Sequence, residues 1–240
     1  MKARSHLLSA AVVSLLCTAA EAHISVGAPG PAIAGTTQEL TFNVGHGCDG
    51  ADTYSIEVRI PDGVTAVRPL NSEFGKAVVK RDESTNKVTS VTWTKPSSAD
   101  VLPGDTHFYK LTLRAMLPNQ PFTTVFFPTI QHCRAADGTE SIVEWVGTSG
   151  GHDHLQRADT TPAANPAPAL TVLPARTPGW NKYTVDQHVH DMAVFKDAQI
   201  VWAGNAAYSP SAHTLSLIEK EPNTQVLQAI HPGTDIWVKY

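Results

Sequence analysis

His23 follows directly on Ala20-Glu21-Ala22, and that position offers it chemistry that no internal histidine has. A cut after Ala22 would leave an α-amino group and an imidazole on the same residue. The amine and the ring Nδ1 could then chelate one ion together. Two nitrogen donors suit Cu(II), which prefers tetragonal geometry. The amine has an ordinary pKa of about 7.7–8.0. A metal must displace that proton, so affinity should fall with acid. The plainer alternative is that His23 merely opens the first strand.

Two other groups of residues could bind metal. "HGC" (His46, Cys48) and "HC" (His132, Cys133) supply two imidazoles and two thiols, the set a tetrahedral zinc site wants. Adjacent strand residues point to opposite faces, however, so His132 and Cys133 would diverge unless a bulge re-aims one. "HVHDM" places His188, His190 and Met192 at i, i+2 and i+4, on one face if the segment is a strand. Imidazoles with a thioether could form a second metal site for Cu(I); the alternative is a polar strand edge. His152 and His154 in "GHDH" read as solvated, and His107, His213 and His231 carry no spacing argument. There is no G-x-S-x-G elbow, phosphate-cradling Gly-rich loop, H-E-x-x-H or C-x-x-C.

Such a cut requires an export signal at the N-terminus. Lys2 and Arg4 precede an apolar run from Leu7 to Ala20, and Ala20-Glu21-Ala22 fits the small-x-small cleavage pattern. The alternatives are a cut a few residues either way, or a lipoprotein cut before Cys17, which Leu16 disfavours. The apolar run is short for a membrane span, and no later segment is longer or purer. Residues 1–22 are therefore expected to be a signal peptide, with Ala22 and His23 flanking the cut and a periplasmic or secreted product. Without Lys2, Arg4 and Glu21, the 18 basic and 22 acidic residues become 16 and 21, a net of -5. With no basic run, nucleic acid and anionic membrane are poor partners. Cys17 leaves with the signal. Cys48 and Cys133 remain as an even pair in an oxidising compartment and are expected to form a disulfide. The alternative is two thiolate ligands. The disulfide would close a loop of about 85 residues and contribute ~4 kcal/mol by chain entropy.

The elements that would carry these groups are mostly β. From residue 23 to about 148, short apolar or alternating runs recur between turn residues. They include "TQELTFNV", "YSIEVRIP", "KAVVKR", "VTSVTWT", "HFYKLTLRA", "FTTVFFP" and "SIVEW". Short strands with turn signals predict an antiparallel sandwich of immunoglobulin or cupredoxin type. Residues 149–176, rich in Pro and Ala, read as a linker. Residues 177–240 read as a small α+β module. In it "DMAVFKDAQIVWAG" is expected to be a strand pair turning at "KDAQ". "SPSAHTLSLIEKEP" is expected to be a helix capped by Ser209 or Ser211.

"HISVGAPGPAIAG" after the signal, together with "YSIEVRIPDGV" and "SIVEWVG", resembles the YcnI-like copper-binding family of exported bacterial β-sandwich proteins. The resemblance covers residues 23 to 147. It implies Cu(II) held by the mature N-terminal histidine, through amine and ring, and by a glutamate, with a tryptophan beside the metal. The histidine corresponds to His23 and the tryptophan to Trp145. The glutamate has no counterpart, because the loop before "IEVRIP" reads "GHGCDGAD". That loop offers His46, Cys48, Asp49 and Asp52, while Glu57 within the strand is a weak substitute. If Cys48 is tied to Cys133, His46 is the best donor and Asp49 the next. With His23 it would complete a histidine brace. Trp145 would then shield the ion, although a strand tryptophan is more often core, as Trp93 is expected to be.

The expected function is copper binding for acquisition, storage or delivery, with copper as the cofactor and another copper-handling exported protein as partner. It is not expected to be an enzyme. The rivals are a copper polysaccharide monooxygenase, which needs a flat aromatic face hard to assemble from 7% aromatic residues, and a metal-free adhesion sandwich.

Overall fold

A computed structural model describes residues 23–104, 106–148 and 165–240. The expected signal peptide, His152 and His154 lie outside the described residues. The strands in chain order are β1 (Ser25–Gly27), β2 (Thr37–Val44), β3 (Asp52–Arg59), β4 (Thr65–Pro69), β5 (Lys76–Arg81), β6 (Val88–Thr94), β7 (Tyr109–Met116) and β8 (Thr124–Phe126). They continue with β9 (Thr129–Arg134), β10 (Glu140–Trp145), β11 (Ala169–Thr171), β12 (Trp180–Val185), β13 (Ile200–Ala203), β14 (Ala206–Tyr208), β15 (Gln225–Val226) and β16 (Thr234–Lys239). Among the described residues one α-helix, α1, spans Ala212–Ile218.

Two antiparallel sheets, β1-β2-β7-β4 and β10-β9-β3-β6-β5, face each other across one core. Alternation decides which side chains enter it. Leu40, Phe42 and Val44 of β2 and Leu111, Leu113 and Ala115 of β7 come from one sheet. Ile56 and Val58 of β3, with Val91 and Trp93 of β6, come from the other. Trp93 is core, as expected, and donates its indole N–H to the Leu70 carbonyl at 2.9 Å. The fold is therefore a mainly β sandwich.

Several segments differ from the sequence reading. The region expected to be a linker up to residue 176 joins the sandwich over its described part. β11 pairs with β8, and the Ala34 and Leu173 backbones bond across to residues 173 and 32. Val172 is fully buried in the sandwich core. Proline-rich composition marks extended backbone, and here that backbone is used as an edge strand. β4 carries no alternation signal in "TAVRP"; Ala66 has φ +51 and the pairing to β7 slips between Thr65 and Arg68.

The C-terminal module is a five-stranded sheet, β12-β16-β13-β14-β15, with its own core. α1 is capped by Ser211, whose hydroxyl accepts from the Thr214 N–H; Ser209 in turn accepts from the Ser211 N–H. "DMAVF" is not a strand. Asp191 caps a 3-10 turn over Met192–Phe195, and the hairpin forms further on, between β13 and β14 at Gly204 and Asn205. The module docks on the sandwich through Phe122, whose ring meets Tyr183 at 5.8 Å and Phe195 at 5.4 Å. Among the described residues no helix is long and apolar enough to cross a membrane.

Because the segment around β11 packs into the sandwich core, Val172→Ala should cost about 1–3 kcal/mol. The exposed neighbour substitution Thr171→Ala should cost nearly nothing. Chemical denaturation of the two variants checks this, and equal, negligible losses would mark the segment as a linker.

Candidate metal site

Strand pairing brings His23 and His46 together. β1 runs antiparallel to β2, with Ser25 opposite Asn43 and Gly27 opposite Thr41. Continued two residues back, that register sets position 23 beside Gly45. His46 is the next residue in the chain and lies just past the end of β2. Ile24 is buried in the core and pins this end of β1, while His23 is exposed.

Trp145 arrives from the other sheet, at the last position of β10, and is 5% exposed. Both imidazoles stand edge-on to it. The His23 ring lies 5.5 Å from the Trp145 ring at 83°, and the His46 ring 6.4 Å away at 75°. The three residues singled out in the sequence therefore share one end of the sandwich.

A residue that sequence reasoning missed holds this arrangement. Gln131 is fully buried on β9. Its Oε1 accepts the Trp145 indole N–H at 2.9 Å, and its Nε2 donates to the His46 carbonyl and to Thr53 Oγ1, both at 2.8 Å. One amide thus links the tryptophan to the histidine loop. The signal was a glutamine at an inward position of "TIQHCR", where an apolar residue is the norm.

The loop itself is fixed by its turn. Cys48 and Ala51 exchange backbone hydrogen bonds at 2.9 and 2.8 Å around Asp49 (φ 47) and Gly50 (φ 84). Two positive φ values in an Asp-Gly pair make a type I′ turn. Gly47 is required, since a Cβ there would lie 1.7 Å from the Ala51 carbonyl oxygen. The Cys48–Cys133 disulfide is present and ties the turn to β9. The two sulfurs are consumed, so the Cys2His2 zinc alternative is excluded.

The other loop donors are differently employed. Asp49 sits on the exposed tip of the turn. Asp52 is buried and accepts from Lys95 Nζ at 2.5 Å, the Tyr109 hydroxyl at 2.9 Å and the Leu102 N–H at 2.8 Å. Burial opposes the Lys95 charge most strongly of any single cause, but the hydrogen bonds and charge attraction from Asp52 and Tyr109 together outweigh it and raise the lysine pKa. Glu57 cannot serve. Ile56 pairs opposite Gln131, so Glu57 faces the other side of the sheet from Gln131 and Trp145.

His46 Nδ1 lies 2.5 Å from the Gly47 carbonyl oxygen. A carbonyl only accepts, so Nδ1 carries the hydrogen. In the neutral ring the lone pair is then on Nε2, the nitrogen that would ligate. Among the described residues no three His, Cys, Asp or Glu side chains are already arranged around a metal position.

Comparison with known proteins places the chain. A family model described as a domain of unknown function (DUF1775) matches residues 23–172. The chain belongs to this family. It is the YcnI-like family that the sequence resembles, and its match runs through β11. No curated protein matches the chain. Among solved structures, an uncharacterized Nocardia farcinica protein with an immunoglobulin-like fold is 29% identical, over 63% of this chain and 98% of that one, with a TM-score of 0.49. A cohesin module of a Clostridium perfringens family 33 glycoside hydrolase is 13% identical, over 51% of this chain and 93% of that one, at 0.34. The major pilin subunit of Bacillus cereus is 10% identical, over 90% of this chain and 54% of that one, at 0.35.

The second constellation is only partly assembled. Met192 is buried in the module core, 8% exposed, while His188 is exposed. Met192 opens the 3-10 turn, so the expected period-two relation to the histidines is lost there.

Replacing Gln131 with Leu should leave the buried Trp145 N–H without its acceptor and remove the shorter of two hydrogen bonds to the His46 carbonyl, the other coming from Thr53 Oγ1 at 3.4 Å. The expected loss is about 1–3 kcal/mol in denaturant unfolding. Gln131→Leu unfolding at the wild-type midpoint would show that the amide does not hold the site.

Proposed function

We propose that this YcnI-like protein is exported, loses its signal at Ala22 and binds Cu(II) through His23. The α-amine and ring Nδ1 of His23 would supply two nitrogens and His46 Nε2 the third. Trp145, edge-on to both rings, would cover one side and limit water access. The role is acquisition, storage or delivery of copper to another exported copper-handling protein, without turnover. One observation carries the reading: His23 and His46, from different segments, converge on the same buried tryptophan. The Cys48–Cys133 disulfide supports an oxidising compartment. His46 would stand where the family's glutamate is missing.

A second reading, a copper-dependent oxidative enzyme acting on polysaccharide, gains from one feature absent from the sequence reading. Trp180, Trp202 and Trp237 share the outer face of the C-terminal sheet. Trp237 pairs with Trp202, and Trp180 lies two residues along from Lys182, the other partner of Trp237. Trp180 and Trp237 are about half exposed. Peroxide-driven cleavage of a polysaccharide by the copper-loaded protein would favour this reading over delivery.

The test is Cu(II) titration with EPR on protein starting at His23, beside a form with one extra N-terminal residue. The extended form should bind at least tenfold more weakly, with an altered spectrum, and His46→Ala should change the spectrum again. Equal binding and identical spectra in the extended form would remove the proposal.

A further inference from the structure

Three of the four histidines of the C-terminal module, His188, His190 and His231, form a cluster that the sequence spacing only half revealed. Val189 and Ile230 exchange both backbone hydrogen bonds, each 2.9 Å, in an isolated antiparallel bridge. That register sets His188 directly opposite His231. His190 lies two residues from His188 and so on the same side. Val189 and Ile230 point the other way and are buried, 5% and 1% exposed. The rings meet accordingly: His188 lies 3.8 Å from His190 and 4.3 Å from His231 between centroids. His188 and His190 also line a cavity of about 630 Å³ between the module and the sandwich, together with Asp191 and Asp197.

We propose that His188, His190 and His231 form a second metal site, taking a borderline divalent ion, Zn(II) or Cu(II). An H-x-H pair with a third histidine opposite it on an antiparallel bridge offers three imidazoles from one surface. Three protein imidazoles with an open fourth position is a known zinc arrangement, and imidazole suits both ions. The rings are tilted against one another at 39° and 41° rather than converged on a point, in keeping with the lack of a preformed three-ligand group among the described residues. A Zn–N distance of 2.0–2.1 Å separates the centroids of two ligating rings by roughly 5 Å. The cluster therefore needs to open by about an ångström, which rotation about χ1 and χ2 supplies with the backbone bridge intact. Met192, in the core, takes no part. The site does not rest on the His23 proposal.

The test is zinc titration by calorimetry and by thermal unfolding, in a His23→Ala background that removes the N-terminal site. The expected result is one zinc equivalent and a higher unfolding temperature with zinc, because a ligand that binds only the folded state stabilises it. His188→Ala and His231→Ala should each weaken zinc at least tenfold and abolish the temperature shift. His188→Gln is a second variant should His188→Ala fold poorly, as judged by its metal-free circular dichroism. Met192→Leu and His213→Ala should bind as the parent does. A Cu(II) titration of the same proteins tests the other ion, and failure of both ions to bind overturns the site. Zinc binding unchanged in folded His188 and His231 variants, or lost equally in His213→Ala, would overturn it as scattered surface binding. Loss of copper in the His23→Ala parent alone would touch only the N-terminal reading.

Discussion

The end of the sandwich that brings His23, His46 and Trp145 together depends on where one buried amide points. Gln131 is fully buried, so its two ends must find partners in the interior. The indole N–H of Trp145 can only donate and therefore claims Oε1. The His46 carbonyl can only accept and therefore claims Nε2. The amide cannot be flipped without losing both bonds. The tryptophan from one sheet and the histidine loop from the other are thereby fixed relative to each other. His23 then needs only the β1–β2 register to complete the group. On the copper-binding proposal, holding His23 and His46 near each other in this way would lower the cost of ordering them on binding.

The loop around that amide is restrained from three sides. The I′ turn at Asp49 and Gly50 reverses the chain, and the disulfide ties the turn to β9. Asp52, next in line, is held by Lys95 and Tyr109 beneath the surface. A buried ion pair is weak evidence for net stability, because desolvation offsets the attraction. Its value here is positional. With Lys95 and Tyr109 committed to it, Asp52 stays inside, and the loop leaves its imidazole, not a carboxylate, facing Trp145.

Much of this was legible in the residues. "TQELTFNV", "KAVVKR" and "VTSVTWT" coincide with β2, β5 and β6, because alternation survives wherever one face is buried. The Ser211 cap and the disulfide were legible for similarly local reasons. What failed was non-local. Gln131 reads as an oddity in a strand until the indole above it is seen. His231 carries no spacing argument because its partner is 43 residues away and only the Val189–Ile230 bridge brings it across. Val172 lies in a stretch whose composition suggests a linker, yet its side chain finds the core. In "HVHDM" the Asp191 cap ends the extended backbone before Met192, so a period of two gave the right answer for two residues and the wrong one for the third.

The central claim is that one residue, His23, grips a cupric ion with both its amine and its ring, and that His46 adds the next nitrogen. Pulsed EPR of the Cu(II)-loaded protein starting at His23 reads those nitrogens directly. The account predicts remote-nitrogen couplings from two imidazoles together with a directly bound amine nitrogen. Couplings from a single imidazole, or the absence of the amine nitrogen, would contradict it.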